Sequence, residues 1–219
     1  MSRPADVKQH KKERKEEMKK ILLTATLVLT LALTMAISVS AATTHTVKKG
    51  DSLWKIAVSY QVGLSEIKAE NPAIKNYDLI YPGQIINIPT LNASVDAYER
   101  EVVRLVNLER AKAGLSELEY DWQLSRVARY KSEDMQKKGY FSHTSPTYGS
   151  PFDMMKSFGI KYKSAGENIA KGYKTPEAVV KGWMNSSGHR ANILNKSFTH
   201  IGVGYVAYGD YWTQMFIGK

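Results

Sequence analysis

Nineteen residues near the N-terminus, Ile21 to Val39, are almost wholly apolar or small. A run of that length can span a bilayer as a helix, so it divides the chain before any fold is considered. Met18-Lys19-Lys20 stands before it and Ser40-Ala41-Ala42 after it. A basic start, an apolar run and small residues at its end make residues 18–42 a secretory signal peptide, cleaved after Ala41 or Ala42. The rival reading is an uncleaved membrane anchor with its basic end inside. Either way, everything after residue 42 has to fold outside the cell, and a membrane is a partner only if the segment stays. Residues 1–17 are polar and charged with no apolar period, so they read as a disordered basic extension. Because Met18 opens a complete leader, they also read as lying upstream of the true start.

The exported part has no disulfide to rely on, since the chain of 219 residues contains no cysteine. Thiolate zinc sites and cysteine nucleophiles are excluded on the same ground. A secreted chain held only by its core fits bacterial export. The net charge is +10, of which residues 1–41 supply four. The remainder suits an anionic partner such as a cell wall. No motif sets base-stacking aromatics on a basic face, so nucleic acid is not among the expected partners.

Residues 43–89 form one compact unit. His45 to Lys48 reads as a strand, and Asp51 or Ser52 after Gly50 as a helix cap. Leu53, Ile56, Ala57 and Tyr60 follow helical spacing. Trp54 shares that helix and is expected in the core. A second helix from Leu64 stops before Asn71-Pro72, and Ile85 to Ile88 closes the unit as a strand. The order is β-α-α-β. The blocks TVKKGDSLWKIAVSY, LSEIKAENP and IYPGQIINIP resemble a LysM domain along its whole length. The resemblance implies binding of glycans that contain N-acetylglucosamine, as in peptidoglycan. It places the groove between Gly50, Asp51, Ser52 and Leu53 on one side and Asn71, Pro72, Ala73 and Ile74 on the other.

After a linker at 90–95, residues 96–219 read as a second domain. The spacing predicts a helix from Val95 to about Ala113-Gly114, where glycine ends it. Leu118 to Trp122 leads into a second helix, Gln123 to Lys138, with Leu124, Val127, Ala128 and Met135 on one side. A short helix follows at Pro151 to Phe158. Ala165 to Ala170 reads as turn-like and then helical, and Thr175-Pro176-Glu177 starts another helix. The stretch GWMNSSGHRANIL, Gly182 to Leu194, reads as a helix that stops at Ser-Ser-Gly and then presents His189. Two strands split by Gly209-Asp210 end the chain, their aromatics Tyr205, Tyr208, Tyr211, Trp212 and Phe216 filling the sheet. The fold class is α+β.

His143, Glu167 and His189 are the titratable residues that stand at breaks between helical patterns. Two imidazoles and a carboxylate suit a divalent metal with an open position, and they suit acid–base work near neutral pH. Their separations of 24 and 22 positions form no local metal motif, so spacing alone favours helix capping and carbonyl bonding for them. Ser145, Ser186 and Ser187 offer serines for a Ser–His–acid triad, but no nucleophile-elbow sequence is present. Asn168 and Arg190 read as braces that bond loop carbonyls.

The blocks VNLERAKAGLSEL, YFSHTSP, AGENIA, GWMNSSGHRANIL and HIGVGYV resemble the bacterial branch of the CAP superfamily of cysteine-rich secretory, antigen 5 and pathogenesis-related proteins. The resemblance implies an α-β-α sandwich around an antiparallel sheet. It also implies a cleft tetrad of two histidines and two acids that in some members binds a divalent metal such as Zn2+. His143, Glu167 and His189 match three of the four positions. Ser186 stands where many members carry the second acid, which removes a two-carboxylate mechanism unless Asp153 enters the cleft. Three roles remain open for an exported, wall-associated protein of a Gram-positive cell: binding a ligand, hydrolysing wall material or extracellular protein, and building an envelope or spore-coat layer.

Overall fold

A computed structural model of the protein describes residues 43–90 and 92–219. The signal segment, the extension before it and the cleavage point lie outside these residues. Among the described residues no helix is long and apolar enough to cross a membrane.

The N-terminal unit runs β1 (Thr43–Thr46), α1 (Leu53–Ser59), α2 (Leu64–Glu70) and β2 (Ile85–Ile88). The strands pair antiparallel, with Thr43 opposite Ile88 and Thr46 opposite Ile85. β1 sits two residues earlier than the spacing predicts. Asp51 causes the shift: its carboxylate accepts the Lys48 amide at 2.8 Å and its own amide bonds the Lys48 carbonyl, which draws Lys48 into the turn. Ser52 caps α1 by accepting the Lys55 amide. Val47, Leu53, Ile56, Ala57, Ile67, Ile86 and Ile88 close a small core.

The C-terminal unit runs α3 (Ala93–Lys112), β3 (Glu119–Tyr120), α4 (Trp122–Lys138), α5 (Pro151–Ser157), β4 (Ser164–Lys171), α6 (Pro176–Met184), α7 (Ser187–Ile193), β5 (His200–Val206) and β6 (Tyr211–Gly218). Asp121 caps α4 at one end, and Gly139 ends it in the left-handed region at φ 68°. The sheet order is β3-β5-β6-β4. One face carries α4 and α5, packing Leu124, Val127, Met154 and Met155 on Met215 and Ile217. The other carries α3, α6 and α7, packing Val102, Val106, Val179, Trp183 and Ile193 on Ile201, Val203, Trp212 and Phe216. This is the α-β-α sandwich expected. Of the strand aromatics, Tyr205, Tyr211, Trp212 and Phe216 are buried, while Tyr208 in the turn is 81% exposed.

Two expectations need correction. The sheet is not wholly antiparallel, because β3 pairs parallel with β5. The amides of Glu119 and Asp121 bond the carbonyls of Thr199 and Ile201, which draws the lead-in to α4 onto the edge of β5. Ala165 to Ala170 is strand, not turn and helix, since every residue from Ser164 to Lys171 pairs with β6. Gly166 to Ala170 is buried on both faces, so neither a period of two nor one of 3.6 is written into it, and the ladder decides its conformation.

Side chains close the strand edges that the ladders leave open. Trp183 Nε1 and Asn192 Nδ2 donate to the carbonyls of Ile169 and Glu167 on β4. On β5 the amides of Val203 and Tyr205 donate to Ser125 and Glu99. The Glu99 carboxylate is fully buried, and Arg129 donates to both of its oxygens at 2.8 Å.

Candidate functional site

β4 is the last strand of its sheet, and the candidate cleft is built around it. Glu167 projects from β4 on the side of Met215, its partner on β6, and therefore toward α4. The segment after α4 brings His143 to it: His143 Nδ1 and Glu167 Oε1 lie 2.7 Å apart. The carboxylate is almost fully buried and the imidazole half exposed, at 1% and 53%. Burial pushes the Glu167 carboxyl above its ordinary range, opposed by the His143 bond and the Lys131 charge. His143 keeps Nε2 as its remaining ring nitrogen.

His189 comes from the opposite layer. The helix holding Trp183 ends at Met184, and a new one begins at Ser187 after Asn185 and the extended Ser186, at φ −104° and ψ 123°. His189 is therefore the third residue of α7 rather than a residue presented beyond a helix end. Partial burial, and then the charge of His143, hold its imidazole below the ordinary value. The structure thus brings His143 and Glu167 into direct contact, while His189 is supplied by α7.

Buried polar groups fix these positions. Asn168 donates to the His189 carbonyl at 3.1 Å and to Gln214 Oε1 at 2.9 Å, and Asn192 donates to Asn168 Oδ1 at 2.8 Å. These amides tie α7 to β4 and β6, the bracing role expected of Asn168. Arg190 is exposed and has no comparable role. Beneath the His143 segment, Lys131 is fully buried and donates to the His143 carbonyl at 2.8 Å. Asp134 accepts the hydroxyls of Tyr140, Ser145 and Thr147. Lys131 and Asp134 are missed by motif reading, yet Lys131 continues the apolar stripe Leu124, Ala128, Met135 of α4. A lysine on a buried stripe is the signal that could have found it.

The serines do not form a triad. Ser145 is buried, donates to Asp134 and accepts the amides of Thr147 and Tyr148, so it shapes a turn. Ser186 is the residue before α7, and Ser187 is its exposed first residue. Asp153 does not supply the second acid, because its carboxylate is engaged in the capping box of α5 with Ser150. Among the described residues no three His, Asp or Glu side chains are grouped to hold one metal ion. Glu167 stands behind His143 as its orienting partner, bonded at Nδ1, which leaves Nε2 facing away from the pair.

In the N-terminal unit, Gly50 and Ser52 are exposed and Asp51 is half-buried. Ala73 and Pro72 are exposed and Ile74 is half-buried. Two of the groove residues turn their side chains inward. Leu53 is a core residue, and the Asn71 side chain is buried, bonding the carbonyls of Ile67 and Asn87 and the Asn87 amide. Trp54, expected in the core, is 60% exposed. Leu53, Ile56 and Ala57 make the buried stripe, and Trp54 is rotated about 100° from Leu53 around the helix.

A family model described as the cysteine-rich secretory protein family matches residues 103–217, and one described as the LysM domain matches residues 45–89. Over 127 residues the chain is 70% identical to "Uncharacterized protein YkwD" of Bacillus subtilis, covering 58% of this chain and 49% of that protein. Its LysM segment is 42% identical over 48 residues to "N-acetylmuramoyl-L-alanine amidase sle1" of Staphylococcus epidermidis, covering 22% of this chain and 14% of that one. Among solved structures, an extracellular protein from Bacillus anthracis containing a SCP domain superposes with a TM-score of 0.55 at 36% identity, covering 63% and 47% of the two chains. The chain spans about half the length of the curated relatives YkwD and its like that it matches.

Proposed function

Because the chain belongs to the cysteine-rich secretory protein family and carries a LysM domain, we propose that it is a wall-associated binding protein. The LysM domain holds it on peptidoglycan containing N-acetylglucosamine, and the second domain binds a ligand at the cleft of His143, Glu167 and His189. The kinship of the LysM segment with a wall amidase supports the first part. The observation that carries the second is the His143–Glu167 pair, a buried carboxylate bonded to an imidazole that is half open to solvent. Such a pair presents Nε2 in a fixed direction to a hydroxyl, carboxylate or amide.

The same pair favours a second reading, a hydrolase. His143 Nε2 would take a proton from a water molecule, while Glu167 stabilises the imidazolium that forms. His189, held toward its neutral form, is then available to accept a hydrogen bond or to ligate. A divalent metal bound by the two imidazoles would supply polarisation of a carbonyl or of a water molecule.

One comparison separates the readings. Residues 43–219 and the variant His143→Ala/His189→Ala are incubated with purified cell wall and with a solubilised wall fraction, and metal content is measured on both proteins. The binding reading expects a wall component retained by the wild type and lost from the double variant, with neither protein releasing soluble fragments. Release by the wild type alone establishes the hydrolase. Identical behaviour of the two proteins in both assays removes the cleft from the account.

A further inference from the structure

We infer that Trp54 is a stacking platform for a sugar ring of the glycan, extending the LysM site beyond its two turns. The inference rests on the glycan-binding reading of the LysM domain and deepens it.

The chain has four tryptophans. Trp183 and Trp212 are buried, at 1% and 0%, and Trp122 is half-buried, whereas Trp54 is 60% exposed. It is the second residue of α1, directly after the turn Gly50–Ser52. Side chains on a helix tilt toward its N-terminus, the end at which that turn stands. Gly50, at φ +91°, leaves the space in front of the turn open: a side chain there would meet no atom within 4 Å. The turn itself is fixed. Ser52 caps the helix, Asp51 bonds His45 and the Lys48 amide, and Lys55 Nζ bonds the Gly50 carbonyl at 2.7 Å.

Recognition of an N-acetylhexosamine needs polar groups for the acetamide and an apolar surface for the ring face. The turn supplies the first from its backbone. The second cannot come from Leu53, which is buried, so within residues 50–54 it falls to Trp54. An indole offers a wide, rigid face at little conformational cost, together with one N–H donor for a hydroxyl or carbonyl. That combination selects a pyranose whose C–H groups line one face, as in β-1,4-linked N-acetylglucosamine.

The test is a titration of residues 43–219 with a soluble β-1,4-linked N-acetylglucosamine oligomer, followed by tryptophan fluorescence and by calorimetry. The wild type is expected to show a saturating emission change at the concentration where heat release saturates. Trp54→Ala is expected to bind about tenfold more weakly, a typical loss for an aromatic anchor, and to lose the emission change. Trp54→Phe is expected to keep most of the affinity, because a ring face remains. Thermal unfolding midpoints should be equal for all three, since the side chain is exposed. If the wild type binds and Trp54→Ala binds equally well, the platform is refuted while the glycan-binding reading stands. If the wild type releases no heat, that reading fails and the platform falls with it.

Discussion

Gly204→Ala is expected to cost about 3 kcal/mol of stability, and Gly202→Ala to behave alike. An alanine Cβ at position 204 would stand 2.1 Å from the Arg129 amide nitrogen and 2.2 Å from the Ala128 carbonyl carbon. At position 202 it would meet the Ser125 nitrogen at 2.3 Å and the Leu124 carbonyl carbon at 2.4 Å. All four atoms are backbone of α4, which cannot step aside as a side chain can. The two glycines lie two apart on β5 and share the face opposite that of Ile201 and Val203, so α4 rests directly on the strand. The contact is reinforced by Ser125, which accepts the Val203 amide, and by Ser132, which donates to the Gly204 carbonyl. Overpacking at such a site costs about 3 kcal/mol or more, against a total stability of about 5–15 kcal/mol. Denaturant midpoints decide the matter, with Gly188→Ala as the control. Gly188 is helical with open space around it, so alanine there should leave the midpoint unchanged or raise it slightly. Equal midpoints for Gly204→Ala and the wild type would show that α4 does not lie on β5 in this way.

Arg110→Met is expected to lower the thermal midpoint by about 10 °C, from a loss of about 3 kcal/mol. Arg110 is buried on α3 and faces four carbonyls and no carboxylate. Nε donates to Ser116 at 2.9 Å, Nη1 to Ile193 at 2.8 Å and Asn195 at 2.9 Å, and Nη2 to Phe198 at 3.5 Å. Methionine fills part of the volume but leaves these acceptors without a donor. Ile193 closes α7, so its release loosens the helix that carries His189. Ligand capture at the cleft should therefore fall together with stability. Arg110→Lys, which restores one or two of the bonds, should lie between. A midpoint for Arg110→Met within 2 °C of the wild type would mean that the carbonyls find other partners.

Local chemistry made several elements legible in the sequence. Gly139 and Asp121 mark the ends of α4, Asn71-Pro72 marks the end of α2, and the apolar stripe of α4 points to the sheet. β4 left no such trace, because a strand buried on both faces and made of small and polar residues has no period to read. Glu167 could be assigned from the resemblance alone. What makes it a site residue is His143, brought from 24 positions away by a turn that Lys131 and Asp134 hold. Glu99 and Lys131 show where spacing could have said more. Each sits on the inward stripe of its helix, where a charge must find a partner. Trp54 shows the opposite failure: helical spacing alone assigned it to the core, although it lies off the stripe of Leu53, Ile56 and Ala57.

Retention on the wall is tested most directly by cosedimentation of residues 43–219 with purified peptidoglycan over a range of protein concentrations, with and without an excess of soluble N-acetylglucosamine oligomer. Saturable pelleting that the oligomer abolishes is the predicted result. Pelleting no greater than that of a control protein of similar net charge, or pelleting that salt removes and the oligomer does not, would contradict it.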